Sequence, residues 1–157
     1  MAWADLNTIH NPATGTAPPA TWGDGVRDNF QFLAGMAAAQ VLTSQTTTST
    51  SYTDLATAGP AVTVTTGTSA LVIITAYLQN SGGNLTYASF AVSGATTSAA
   101  TDDRLIAQTT ANGMVCSRPQ KITGLTAGSN TFTMKYRVAA GTGTWAYRDI
   151  VVIPLPV

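Results

Sequence analysis

The side chains that could do chemistry are few and widely spaced. His10 is the single histidine and Cys116 the single cysteine. A Ser–His–Asp or Cys–His device needs its imidazole held rigidly by a third group. His10 stands beside Asn11-Pro12, in a proline-bearing stretch that offers no such frame. One His and one Cys cannot assemble an ordinary zinc site within a chain. A threefold axis could gather three copies of His10 only if these stretches converged on it. Cys116 follows Met114 and Val115, a setting that predicts a buried, unreactive thiol, and a lone Cys excludes an internal disulfide framework.

Asp102-Asp103-Arg104 is the acidic cluster. Glycoside hydrolysis uses two carboxylates roughly 5–10 Å apart, whereas adjacent residues on a strand point to opposite faces. The run is expected to open a loop, with Arg104 offsetting the charge. Tyr52, Tyr77, Tyr87, Tyr136, Tyr147 and Trp145 could stack on sugar rings, but aromatics at alternate strand positions are more often core or subunit interface. The glycines fall where turns need them, in neither a Walker-type loop nor a Rossmann fingerprint. Asn84-Leu85-Thr86 matches the glycosylation sequon. The expectation is a protein without catalysis, cofactor or metal.

The chain that must position these residues is poor in charge. Of its 157 residues 9% are charged, against about 25% in ordinary globular domains, and the net charge is zero. Such a chain lacks the basic footprint of a nucleic-acid binder and tends to associate. No membrane span is expected either, because the longest apolar run, residues 70–78, is about half of the ~20 residues a spanning helix needs. A signal peptide is likewise not expected, since no basic segment precedes an apolar one. Polarity comes from Thr, Ser, Asn and Gln. Thr suits a pleated sheet, and Glu, which exposed helices favour, is absent. An all-β body follows.

Three regions separate along the chain. Residues 1 to about 20 carry Asn11-Pro12, Gly15 and Pro18-Pro19, which predict an extended arm with no core of its own. Val26, Phe30 and Leu33 then recur at i, i+4 and i+7, one face of a helix. Asp24 is its candidate N-cap, Asp28 suits the positive helix end, and Gly35 stops it. A helix of about ten residues needs a surface to pack on. Arm and helix make a segment over 1–36, followed by a β domain over 37–157.

Within that domain strands are expected at 40–43, 52–55, 61–65, 71–79, 86–93, 104–108, 114–122, 130–138 and 145–153. The apolar run 71–79 reads as a central strand covered on both faces. Pro119 marks an edge. The last two segments alternate strictly, with Gly141-Thr142-Gly143 read as a hairpin turn between them. About eight strands at this spacing predict an antiparallel β-sandwich, jelly-roll-like.

The stretch Thr21-Trp22-Gly23-Asp24-Gly25-Val26-Arg27-Asp28-Asn29-Phe30-Gln31-Phe32-Leu33 resembles an N-terminal pattern of small virion proteins of tailed phages, particularly those of actinobacteria. That pattern has a Trp, a Gly-containing turn and a hydrophobic step, then Arg-Asp-Asn and an aromatic-Leu pair. The family often carries an extra Leu-Asn step before the Arg, whereas here Val26 leads directly into Arg27. Residues 124–132 and 148–155 are similar to the sandwich ends of such proteins.

The resemblance implies a component of the tail tip, fibre or head surface, commonly trimeric and attached to the virion by its N-terminus. Trp3, Trp22, Val26, Arg27, Asp28, Asn29, Phe30 and Leu33 would then carry docking. The implied partners are further copies of the chain in a homotrimer, other virion proteins, and a host surface glycan if the body helps attachment. A capsid decoration or head-fibre protein is the alternative, a carbohydrate-cleaving enzyme a more distant one. Trp22, Phe30 and Leu33 could instead cap the end of their own sandwich.

Overall fold

The computed structural model describes residues 35–155. The expected arm and helix lie outside these residues. Nine strands form: β1 (Ala37–Val41), β2 (Gln45–Thr47), β3 (Ala61–Thr66), β4 (Ser69–Asn80), β5 (Thr86–Gly94), β6 (Ile106–Gln108), β7 (Met114–Thr123), β8 (Gly128–Val138) and β9 (Gly143–Pro154). The first sheet runs β1-β9-β4-β7, with β2 also on β9, and the second runs β3-β8-β5-β6. Every pairing is antiparallel. From β3 onward the chain changes sheet at each connection except β5 to β6. That connectivity is a jelly roll, as the number and spacing of the strand segments led one to expect. Among the described residues no helix is long and apolar enough to cross a membrane. The one helical element there is the 3-10 turn Asp102–Arg104.

Alternation along each strand sends one set of side chains between the sheets. Val72, Ile74 and Leu78 of β4 and Ile150 and Val152 of β9 meet Phe90 of β5 and Phe132, Met134 and Tyr136 of β8. Tyr136 and Trp145 pack edge to face with ring centroids 5.5 Å apart, an arrangement that adds to their area burial. The buried polar side chains Asn130 and Gln108, at the ends of this core, are bonded. Asn130 donates to Thr66 Oγ1 at 2.7 Å and Thr126 O at 3.0 Å while accepting from Thr96 N at 2.7 Å. Gln108 donates to Leu78 O at 2.7 Å. Outer faces use paired hydroxyls in place of charges, as at Thr63–Thr131, 2.7 Å apart, and Thr75–Ser117, 2.8 Å apart.

Four expectations need correction. Segment 52–55 is not a strand. Thr53 makes a single bridge to Tyr136, and Leu55 then turns into the core, which pulls the chain off β8. Gly141-Thr142-Gly143 is not a hairpin turn, because β8 and β9 belong to different sheets; alternation identifies a buried face but not the neighbouring strand. Only Ile106–Gln108 of the segment 104–108 is strand, Arg104 ending the 3-10 turn and Leu105 capping it. Nor is alternation strict through β9. Its register against β4 shifts between Thr75 and Tyr77, with Asp149 opposite the first and Ala146 opposite the second. The extra residue makes a bulge, and Tyr147 there takes φ 49°.

The bulge changes which parity faces inward: Trp145 before it and Arg148, Ile150 and Val152 after it are all fully buried. Arg148 therefore lies in the core with no carboxylate against it among the described residues. It donates to Gly59 O at 3.1 Å, Thr57 O at 3.4 Å and Gln45 Oε1 at 2.9 Å, and its guanidinium lies 5.2 Å from the Tyr136 ring centroid. The Tyr136 hydroxyl donates to the same Gly59 carbonyl at 2.7 Å. This network ties segment 57–59 to β8 and β9.

Candidate functional site

The outer face of the second sheet carries a cleft of about 720 Å³. Its floor is β8 and β5, whose outward residues Lys135 and Arg137 pair in register with Ser89 and Tyr87. One wall is residues 50–54 and the other residues 99–102. The second wall is fastened down by Ser89 Oγ donating to Thr101 O at 2.8 Å and by the Val92–Ser98 bridge.

Charge in the cleft is paired locally. Lys135 Nζ donates to Asp54 Oδ2 at 2.6 Å. Arg137 Nη2 reaches both Asp102 oxygens, at 3.0 and 2.8 Å. Tyr52 crosses from the opposite wall, its hydroxyl donating to Asp102 Oδ1 at 2.9 Å. The Arg137 guanidinium lies 3.7 Å from the Tyr87 ring centroid and 5.2 Å from that of Tyr52, within cation–π reach. The carboxyl of Asp102 is held below its ordinary value of 3.8, first by the Arg137 hydrogen bonds and then by Tyr52. Burial, and then the bond to Asp102, pushes the Tyr52 hydroxyl up to about 12. Both groups thus keep their roles, acceptor and donor, across the neutral range.

A depressed carboxylate contributes stability that is present above its unfolded pKa, about 3.9, and is lost as pH falls through the lower folded value. An NMR titration of Asp102 should accordingly find its midpoint below 3.8, and Arg137→Ala should move it up toward that ordinary value. An unchanged midpoint in the variant would mean that the guanidinium does not set it.

Arg104 makes no ion pair with Asp102, and its interaction with Asp103 is through space alone. It turns inward, donating to Ser98 Oγ at 2.7 Å and Ala99 O at 2.6 Å with its guanidinium 5.1 Å from the Phe90 ring centroid. Asp102 instead takes Arg137. Among the aromatic candidates, Tyr136 and Trp145 are core, Tyr147 is exposed beside β1, and Tyr52 and Tyr87 flank the cleft. Cys116 is half-buried and the surrounding protein raises its thiol pKa. The docking residues Trp3, Trp22, Val26, Arg27, Asp28, Asn29, Phe30 and Leu33 lie outside the described residues, as does His10.

The first sheet presents a second, different surface. Leu71 and Ile73 of β4 stand opposite Ile153 and Val151 of β9 on its outer face, with Ala38 of β1 beside Val151 and Pro119 of β7 beside Ile73. The central strand expected to be covered on both faces is covered on one; among the described residues nothing packs on the other. Val115 and Tyr147, 59% and 58% exposed, are separated from this group by the polar row Ser117, Thr75 and Asp149.

No protein-family model matches the sequence, and a comparison with curated proteins finds no match. Solved structures do resemble it. The Eiger TNF structure from S. frugiperda superposes with a TM-score of 0.52 at 15% identity, over 78% of this chain and 94% of that one. The fold is shared. A structure of infectious bursal virus derived T=1 particles gives 0.49 at 14% identity, over 76% of this chain and 32% of that one. The CBM22-1 xylan-binding domain of Paenibacillus barcinonensis Xyn10C gives 0.38 at 15% identity, over 78% and 88% of the two chains. The chain spans about a third of the capsid protein's length. At such identities a likeness is one of fold alone.

Proposed function

We propose that this chain is a non-enzymatic structural component of a tailed-phage virion, at the tail tip or fibre, that self-associates as a homotrimer through the outer face of its first sheet. The N-terminal segment carrying Trp22, Phe30 and Leu33 docks it to a neighbouring virion protein, and the body helps the particle attach to its host. One observation carries the reading: Leu71, Ile73, Val151 and Ile153 form an apolar group on the outer face of the first sheet that the described residues leave only half-buried. An apolar group in the middle of a sheet face, rimmed by polar residues such as Lys121, Thr75 and Asp149, suits contact with a partner. A second copy of the chain is a fitting cover because the molecule has zero net charge, so copies meet without long-range repulsion. The first strand of the described body is at the edge of this same sheet, Ala37 pairing with Val152. The resemblance of residues 21–33 to phage virion proteins supplies the particle.

Immunogold electron microscopy of intact particles, with antibody raised against residues 37–157, tests it. Label at the tail end is the expected result. Label spread over the head would replace the tail role with a capsid decoration or head-fibre role, and unlabelled particles would overturn the virion assignment.

A further inference from the structure

We propose that the cleft on the second sheet is a binding site for a neutral saccharide. It gives the attachment part of the proposed function a ligand, and to that extent rests on that reading.

The cleft offers four charged groups, Asp54 and Asp102 on its walls and Lys135 and Arg137 on its floor, each beside its opposite. A sugar hydroxyl both donates and accepts, so a vicinal diol can bridge a carboxylate and an adjacent ammonium without displacing either. Lys135 has three protons to give and Asp54 takes one; the carboxylate remains 42% exposed, open to a second donor. Thr50, Ser51 and Thr101 add hydroxyls along the walls. Ala91, Ala99 and Ala100 are the small apolar members of the lining, and small side chains leave room for the flat C–H face of a pyranose. A few fixed polar groups around an apolar surface make a specific small-ligand site.

Other ligand classes fit less well. A phosphate, sulfate or acidic sugar needs an uncompensated cation, and both cations here are already paired with carboxylates. An extended peptide binds by adding to an open sheet edge, whereas the flanks of the cleft floor are taken by the cleft walls, through the Thr53–Tyr136 and Val92–Ser98 bridges. The Tyr52–Asp102–Arg137 cluster links the two walls before any ligand arrives, so little ordering is needed on binding. The cleft and the proposed assembly face also lie on opposite sheets, so assembly leaves the cleft open.

The test uses the purified full chain on a printed array of neutral and anionic oligosaccharides, followed by saturation-transfer NMR with each neutral oligosaccharide that binds. Binding to at least one neutral structure is expected. Lys135→Ala should weaken it at least tenfold, and Ala99→Trp, which fills the cleft from an exposed loop position, should abolish it. Thermal unfolding of both variants at the wild-type temperature would show that the body is intact. An array silent for every sugar, binding confined to anionic glycans, or wild-type affinity in both variants would each overturn the site. Because binding is measured on the isolated protein and particle location by immunogold labelling, failure of one is distinguishable from failure of the other.

Discussion

Arg148→Ala should unfold the body at a temperature well below wild type, with a loss of about 3–5 kcal/mol, while Arg148→Met should stay within about 1 kcal/mol of wild type. Arg148 is among the largest fully buried side chains. Alanine leaves a cavity beside Tyr136 and removes the donor to Thr57 O, while Gln45 Oε1 loses one donor and keeps Thr57 N at 3.1 Å. A buried acceptor left without a donor costs about 1–3 kcal/mol, and Thr57 O is the one so placed. Gly59 O is less exposed to the loss because the Tyr136 hydroxyl also reaches it, at 2.7 Å. Methionine fills most of the volume and removes a desolvated charge that no described carboxylate neutralises, so its losses and gains offset. Urea denaturation of the two variants decides the matter. An alanine variant as stable as wild type would mean that the carbonyls find other donors and that the guanidinium is dispensable. A methionine variant as damaged as alanine would show instead that the charge itself holds segment 57–59 in place.

Ile73→Lys combined with Val151→Lys should convert the assembled protein to monomers at micromolar concentration. The two residues stand directly opposite one another on the outer face of the first sheet. In an assembled molecule each lysine would be buried without a partner, and such a burial costs several kcal/mol. At roughly 1.4 kcal/mol per tenfold, a loss of even 3 kcal/mol would weaken association by about 100-fold. In the monomer both side chains face water, so the body should unfold at nearly the same temperature. Light scattering and thermal unfolding read the two quantities separately. A wild-type protein already monomeric at that concentration would overturn the assembly proposal. A variant that stays assembled would do so too. A variant that loses thermal stability would mean that a segment of the same chain, residues 21–34, covers this face.

The sequence by itself determined the class of fold. Thr in place of charge, the absence of Glu and short alternating segments bounded by Gly and Asn are local properties, and local properties fix strand identity and which face of each strand is apolar. The edge position of β7 was legible in Pro119 for the same reason, since proline removes a ladder donor wherever it sits. Even the unusual surface was visible in part: the unbroken run 71–79 signals a strand apolar on both sides. The sequence could not say that the described body would cover only one of them.

Tertiary structure decided everything that depends on distant parts of the chain meeting. Lys135 and Arg137 were legible as the polar face of a strand, but their partners Asp54 and Asp102 lie 81 and 35 positions away, and no local signal couples them. Crossing between sheets, rather than hairpin pairing, separated β8 from β9, because alternation is the same for either neighbour. The bulge at Tyr147 adds one residue to β9 and so reverses the parity of all that follows. That single extra residue places Arg148 in the core with Trp145, where period-two reading puts them on opposite faces. Pairing, register and parity are relations between strands, and only the folded molecule contains them.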